Sequence, residues 1–326
     1  MPNVGYEAPL VVFTFTRVQH TKEVLKALSN CIGAKQSKLY IHIDAPRNEG
    51  ERLKSEQLKD FYQSIKNDFK YVEVVEQKKN LGCDKSMLYM MDFIFKKYSR
   101  VIVLEDDDLP HSDFINYMNT MLNKYEKDTS IAGISGYCPP ISIHDDYPYS
   151  VFKSFRGASW GWATWKENWN SIDWQAKKYN SLKYSFTKRR KFSRGGQDMF
   201  PMLLTALERK QFPHWDIVRC FDLFNKNKYF IYPTESLVKN IGFDGTGSNC
   251  GITRKYDVNL DNVKFNYELV PDKLETDASI LQNFYEFYSY DDQDSYLVTI
   301  LKRLRLFDTA FLLKNELTKN NIGSQK

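Results

Sequence analysis

Apolar and polar positions alternate along the first third of the chain in two rhythms. Short β-branched and aromatic runs read as strands: PLVVFTFT (Pro9 to Thr16), KLYIHID ending on Asp44, KYVEVVEQ, and RVIVLEDDD, whose apolar part stops at Glu105. Between them lie segments with helical spacing. HTKEVLKALSNC carries Val24, Leu25 and Leu28 on one face. A charged stretch runs from about Glu49 to Asp68, a Met- and Tyr-rich one from about Asp84 to Lys97 after the turn KKNLG, and another from Asp113 to Lys127. Strands separated by helices predict an α/β fold with a mixed, mainly parallel sheet flanked by helices. Ligands of such sheets bind beyond the carboxyl ends of the strands, where Asp44 and the run from Glu105 to Asp108 fall.

Past residue 150 the rhythm changes. VFKSFRGASWGWATWKENWNSIDW (Val151 to Trp174) holds five of the six tryptophans. Two readings stand side by side: a second apolar core, or a platform on which Trp160 or Trp162 stacks against a ligand, with Gly157 and Gly161 permitting close approach. A basic helix-like stretch contains KRRK (Lys188 to Lys191), and KYFIYP reads as a further strand. It leads into NIGFDGTGSNCG (Asn240 to Gly251), a glycine-rich loop suited to act as a lid. The chain closes on the acidic-aromatic NFYEFYSYDDQD and one amphipathic helix around LVTILKRLRLFDTAFLLKNEL. The expected division is a ligand-binding α/β domain over 1–235 and a lid with a helical extension over 236–326.

Composition narrows the function. With 46 Lys and Arg against 41 Asp and Glu, the net charge of +5 gives little support to a nucleic-acid binder. Five scattered cysteines without a CxxC pair disfavour a disulfide framework or a zinc site, and the five histidines lack metal-ligand spacing. No apolar run reaches the roughly 18 residues of a membrane span, so a soluble, cytoplasmic protein is expected. The basic clusters KRRK and KRLR (Lys302 to Arg305) read as solvated faces, or as peripheral contacts to the inner face of an anionic membrane.

The acidic run carries the chemistry. Four adjacent carboxylates, Glu105, Asp106, Asp107 and Asp108, oppose strand propensity and repel one another unless a cation or hydrogen bonds relieve them. A hard divalent cation, Mn²⁺ or Mg²⁺, bound by one or two carboxylates and substrate phosphates would do so. The plainer alternative is a solvated turn capping the next helix through Ser112 or Asp113.

VIVLEDDDLPHSDFINYM resembles the acidic metal-binding motif of nucleotide-sugar glycosyltransferases of the GT-A fold, in the EDD form found in N-acetylglucosaminyltransferase I and related bacterial sugar transferases. PLVVFTFTRVQH and LYIHIDAP resemble that family's first two strand ends. GISGYCPP, FRGASWGWATWKENW and SLVKNIGFDGTGSNCG resemble uncharacterised bacterial sugar transferases, and the likeness spans roughly residues 8 to 251. The resemblance implies a GT-A, Rossmann-like fold and a UDP-sugar donor, with N-acetylglucosamine as the guess for the sugar and a glycan or lipid-linked acceptor. By the same carry-over Asp107 is the metal ligand, Glu105 and Asp106 contact donor hydroxyls, Arg17 lies near the diphosphate and Asp44 meets uracil. Lys85 and Ser248 complete the donor-binding set. Asp108 falls where the family more often has an apolar residue.

Direct displacement also requires a carboxylate base. Asp216 in FPHWDIVRC is the first candidate, Asp198 in RGGQDMF the second and Asp244 the third. Two rivals belong to other classes. A sugar-nucleotide-forming nucleotidyltransferase would want a glycine-rich loop after the first strand, and TFTRVQHTKE has no glycine. A non-catalytic carbohydrate-binding protein would tolerate Asp107→Asn.

Overall fold

A computed structural model describes residues 7–209, 215–247, 251–291 and 293–323. Its first half follows the expected grammar: β1 (Leu10–Thr14), α1 (Val18–Ser29), β2 (Lys38–Ile43), α2 (Glu49–Ser64), β3 (Tyr71–Glu76), α3 (Gly82–Phe95) and β4 (Arg100–Glu105). These four strands are mutually parallel in the spatial order β3-β2-β1-β4. Alternation along each strand feeds two apolar layers. Leu10, Val12, Leu39, Ile41, Ile102 and Leu104 face α1, α2 and the later helix α4 (Phe114–Lys124). Val11, Tyr40, Val101 and Val103 face the Met87, Met90, Met91 and Ile94 side of α3.

The second half of the sheet departs from the sequence reading. Three short strands were not anticipated: β6 (Ile131–Ser135), β7 (Val151–Ser154) and β8 (Trp162–Trp165). With β9 (Tyr229–Pro233) they complete an eight-stranded mixed sheet, continuing β4-β8-β6-β9-β7. Here β6 and β9 are parallel, while β4–β8, β6–β8 and β7–β9 are antiparallel. The tryptophan-rich segment is therefore part of the sheet, wedged beside β4. A two-stranded ribbon pairs β5 (Asp108–Pro110) with β10 (Val238–Asn240).

Helices α5 (Lys166–Asn170), α6 (Tyr179–Lys183), α7 (Phe186–Phe192), α8 (Met199–Leu204) and α9 (Trp215–Lys226) follow β8, and residues of α6 to α9 build a third apolar cluster. Residues on both sides of position 235 share the main layers: Leu237, Val270 and Leu274 enter one, Ile280 and Phe284 of α10 (Ala278–Ser289) the other. The single C-terminal helix expected from the pattern is two, α11 (Tyr296–Arg303) and α12 (Phe307–Gly323). Arg305 between them takes φ 55°, a left-handed conformation that ends a helix. Among the described residues no helix is long and apolar enough to cross a membrane, and Cys31, Cys83, Cys138 and Cys220 are free thiols.

Candidate functional site

The chain leaves β1 towards β2 and β3, then returns to β4 on the other side of β1. That reversal makes the carboxyl ends of β1 and β4 a topological switch point, where loops diverge and leave a crevice. A cleft of about 410 Å³ lies there, lined among others by Arg17, Asp44, Glu105, Asp106 and Asp107. A second cleft, of about 570 Å³, lies on the side of β8 and α9 and holds Arg156, Asp198, Asp216 and Tyr288. Cys83, Glu105 and Trp160 line both, so the two spaces meet at the end of β4.

The acidic run is not a solvated turn. Asp106, Asp107 and Asp108 are buried, and the Asp113 side chain, at the N-cap position of α4, makes no capping bond. It accepts instead from Asn116 Nδ2 at 2.9 Å and from the Tyr267 hydroxyl at 2.5 Å. Arg17, delivered by the turn after β1, donates Nε–H to Asp106 Oδ1 at 3.0 Å. A second guanidinium nitrogen also pairs with Asp106, and Nη1 lies 2.9 Å from Asp107 Oδ2. One guanidinium thus faces two of the four carboxylates. Burial pushes the Asp106 carboxyl up to about 6 despite that pairing, with Asp107's charge adding to the rise. Glu105 is held well above the ordinary range, first by burial and then by the charges of Asp107, Asp108 and Asp106. Asp107 Oδ1 is buried without a hydrogen-bond partner. The run therefore carries more negative charge than its protein partners relieve, the condition a divalent cation would satisfy.

Asp108 has a separate task. Fully buried at 0% exposure, it accepts at Oδ2 from the amides of Glu105 and Gly161, both at 2.9 Å, and at Oδ1 from Asn240 Nδ2 at 3.4 Å. It joins the end of β4, the entry to β8 and the end of β10. This fully buried carboxylate is satisfied internally, which is the condition for burying it.

Asp44 ends β2 with three of its roughly four acceptor positions engaged. Oδ1 takes the amides of Ala45 and Leu81 at 2.9 and 2.8 Å, and Oδ2 that of Gly82 at 2.8 Å. It therefore fixes the start of α3 to the cleft floor. Lys85 is exposed on α3 and lines neither cleft, and Ser248 lies outside the described residues. Neighbouring His42, one of the five histidines without metal-ligand spacing, also lines the first cleft. Its Nε2 is buried without a partner, and burial lowers its pKa to about 4.

The glycine-rich loop comes directly onto the acidic run. Ile241 N–H donates to the Asp107 carbonyl at 2.9 Å, and a Cβ at Gly242 would overlap Asp107 Oδ2 and crowd the Arg17 guanidinium. Phe243 then stacks on Tyr256 at 4.8 Å and meets the edge of Trp160 at 5.4 Å. Glycine at 242 is needed for close approach, which composition alone does not reveal. Trp160 is half-buried and faces both clefts. Trp162, with 0% exposure, is core, stacked between Trp169 and Trp215 at 5.8 and 5.5 Å. Only the first of the two tryptophans can meet a ligand.

The candidate bases separate on their surroundings. Asp198 is held in a fork by Arg156, with both bonds at 2.8 Å. Asp216, at the start of α9, accepts its neighbour Ile217 N–H at 2.7 Å, and its pKa is raised chiefly by burial. Asp244 is exposed beside His20 and lines neither cleft. Its pKa is lowered, first by the Thr246 hydroxyl it accepts from. Among the described residues no group of three or more His, Cys, Asp or Glu side chains is arranged to hold a metal ion.

No protein-family model matches the chain, and no curated protein matches it. Among solved structures it is similar to the mannosyltransferase PcManGT from Pyrobaculum calidifontis in complex with GDP-Man and Mn²⁺, at 13% identity and a TM-score of 0.37, over 51% of this chain and 47% of that one. It is also similar to S. aureus TarS 1-349 in complex with UDP-GlcNAc, at 12% identity and a TM-score of 0.36, over 54% and 48%. The chain thus spans about half the length of each. Likeness this low leaves function to be read from the chain's own residues.

Proposed function

We propose that this chain is a metal-dependent glycosyltransferase that moves a sugar from a UDP-sugar to a hydroxyl of a glycan or lipid-linked acceptor, with inversion. One observation carries the reading: Glu105, at the end of β4, is shared by the cleft at the strand switch point and a second cleft that contains a raised-pKa carboxylate, Asp216. The donor occupies the first cleft and the acceptor the second. The family resemblance adds the UDP-sugar and, as the narrowest guess, N-acetylglucosamine.

Asp107 fits a divalent cation because its Oδ1 is buried and unsatisfied. With only one or two protein carboxylates to offer, the remaining ligands would come from the diphosphate and water, as hard cations of this type prefer. When bound, Mn²⁺ or Mg²⁺ would neutralise charge developing on the leaving diphosphate. Arg17 adds a fixed positive group at the same strand end. Glu105, whose pKa burial and the neighbouring carboxylates raise, and Asp106 contact hydroxyls of the donor.

Asp216 takes the proton of the acceptor hydroxyl as its oxygen attacks the anomeric carbon. The new C–O bond forms as the bond to the diphosphate breaks, and UDP leaves with the electron pair. A raised pKa suits this base, since proton transfer is most effective when the pKa approaches the working pH. Asp198 is less suited because Arg156 occupies both its oxygens. The Phe243–Tyr256–Trp160 cluster, beside the loop that crosses Asp107, would exclude water from the donor.

The test is a nucleotide-sugar screen with and without Mn²⁺, detecting donor hydrolysis or transfer, on wild type and Asp107→Ala. Metal-dependent turnover lost in the variant is expected. Turnover indifferent to both metal and Asp107 would sink the reading.

A further inference from the structure

Two basic clusters that looked like unrelated solvated faces meet in space. Arg190 of KRRK and Arg305 of KRLR, with Arg194, line a third cleft of about 340 Å³ between α7, α10 and the α11–α12 turn. The three arginines are exposed, and among the described residues the only carboxylate in the lining is Asp308, so the formal balance of that lining is three positive charges against one negative. Arg194 lies over Phe155 at 4.1 Å and Arg305 over Tyr285 at 5.0 Å, so aromatic faces hold two of the arginines towards the cleft.

The floor of the cleft is built and polar. Gln197, buried, donates Nε2–H to the Lys302 carbonyl at 2.8 Å, and buried Asp308 accepts the Ser193 hydroxyl at Oδ2 at 2.7 Å. Its other oxygen, Oδ1, is buried without a hydrogen-bond partner. A ligand complementary to this lining has an anionic group for the arginines and a hydroxyl for Asp308. The wall behind is shared with the second cleft. Phe155 and Gln197 line the arginine cleft, while the next residues, Arg156 and Asp198, line the other. Tyr285 and Tyr288 do the same from one turn of α10.

We infer that the arginine cleft is a subsite for an anionic sugar, one bearing a carboxylate or a phosphate, adjoining the cleft that holds Asp216. Its role as an extension of the acceptor site rests on the transferase reading above; the binding itself does not. Because a polymeric acceptor reaches past the reacting residue, a second subsite beyond the Arg156–Asp198 wall would hold a neighbouring unit of the same chain.

Direct binding, measured by calorimetry without donor or turnover, separates this inference from the catalytic one. The probes are trigalacturonate, glucose 6-phosphate and neutral maltotriose, applied to wild type and to Arg190→Gln/Arg194→Gln/Arg305→Gln. At least one anionic probe should bind wild type and bind the triple variant at least about tenfold more weakly, with maltotriose binding neither. Which anionic probe binds distinguishes carboxylate from phosphate. The three single variants, each with an unfolding midpoint close to wild type, give the same reading should the triple variant fold poorly. Equal binding by wild type and variants, equal binding of maltotriose, or no binding of either anionic probe at millimolar concentration would overturn the inference. So would arginine-dependent flotation with anionic vesicles alone, which would assign the same arginines to a membrane surface.

Discussion

The two clefts that meet at Glu105 are built in opposite ways. The first stands on the ends of parallel strands: Arg17 follows β1, Asp44 follows β2 and Glu105 to Asp107 close β4, each within a few residues of an element that fixes its direction. The second is assembled from pieces far apart in sequence: Arg156 after β7, Asp198 before α8, Asp216 on α9 and Tyr288 on α10. Charge follows the same division. The first crowds carboxylates around one arginine, whereas in the second the Asp198 carboxylate is matched by Arg156 and Asp216 stands near the buried Arg219. On the proposed reading, the unrelieved charge of the first cleft serves a cation and diphosphate, and the raised Asp216 carboxylate of the second serves to take a proton.

The largest effect should come from the acidic end. Asp107→Ala should lower metal-dependent transfer by about 10³-fold or more, the scale of losing several kcal/mol of charge stabilisation. Steady-state kinetics across a Mn²⁺ titration checks it, and activity restored at high metal would place the loss in metal binding. Asp216→Asn should cost about 10² to 10⁴-fold in kcat with little change in donor KM. Asp198→Asn, by contrast, should act through the Arg156 wall and leave the pH profile of kcat unchanged. A loss for Asp198→Asn equal to that for Asp216→Asn, with a shifted profile, would exchange their roles.

Stability separates the neighbours Asp107 and Asp108. Asp108→Ala strands the amides of Glu105 and Gly161 and should cost about 2–4 kcal/mol in urea unfolding. Asp108→Asn, which keeps an acceptor oxygen, should retain most of that stability and a metal-dependent activity that Asp107→Ala lacks.

The smallest effect concerns pH. His42 has a folded pKa near 4 against an ordinary 6.5, so between those values the unfolded chain binds the extra proton. Its contribution is complete above about pH 6.5 and is lost as pH falls towards 4. Wild type should lose about 2 kcal/mol more than His42→Gln between pH 7 and pH 5, by urea unfolding at each pH. Equal losses would mean that His42 is not held neutral by the fold.

Legibility followed the same division. The βα alternation through residue 105 could be read because each strand is a run of β-branched or aromatic residues and each helix carries an apolar stripe. β6, β7 and β8 escaped although they are within a residue of the length of β1 and β9, which could be read. The glycine in IAGIS and the indoles of WATW obscure the strand period there. WATW looked like a ligand platform or a separate core, and its position beside β4 depends on antiparallel pairing with residues about 60 positions earlier.

The sequence by itself determined the parallel half of the sheet, the strand ends that carry Arg17, Asp44 and the acidic run, and the need for that run to be relieved. These follow from local periodicity and from Coulomb repulsion between adjacent residues. Only the tertiary structure decided that Asp108 is an internal tie, that Trp160 and not Trp162 faces the clefts, that Asp198 is bound to Arg156 while Asp216 is not, and that two basic runs about 115 residues apart line one cleft. Each of those depends on which distant segment supplies the partner, and partner choice is fixed by packing and burial rather than by residue type.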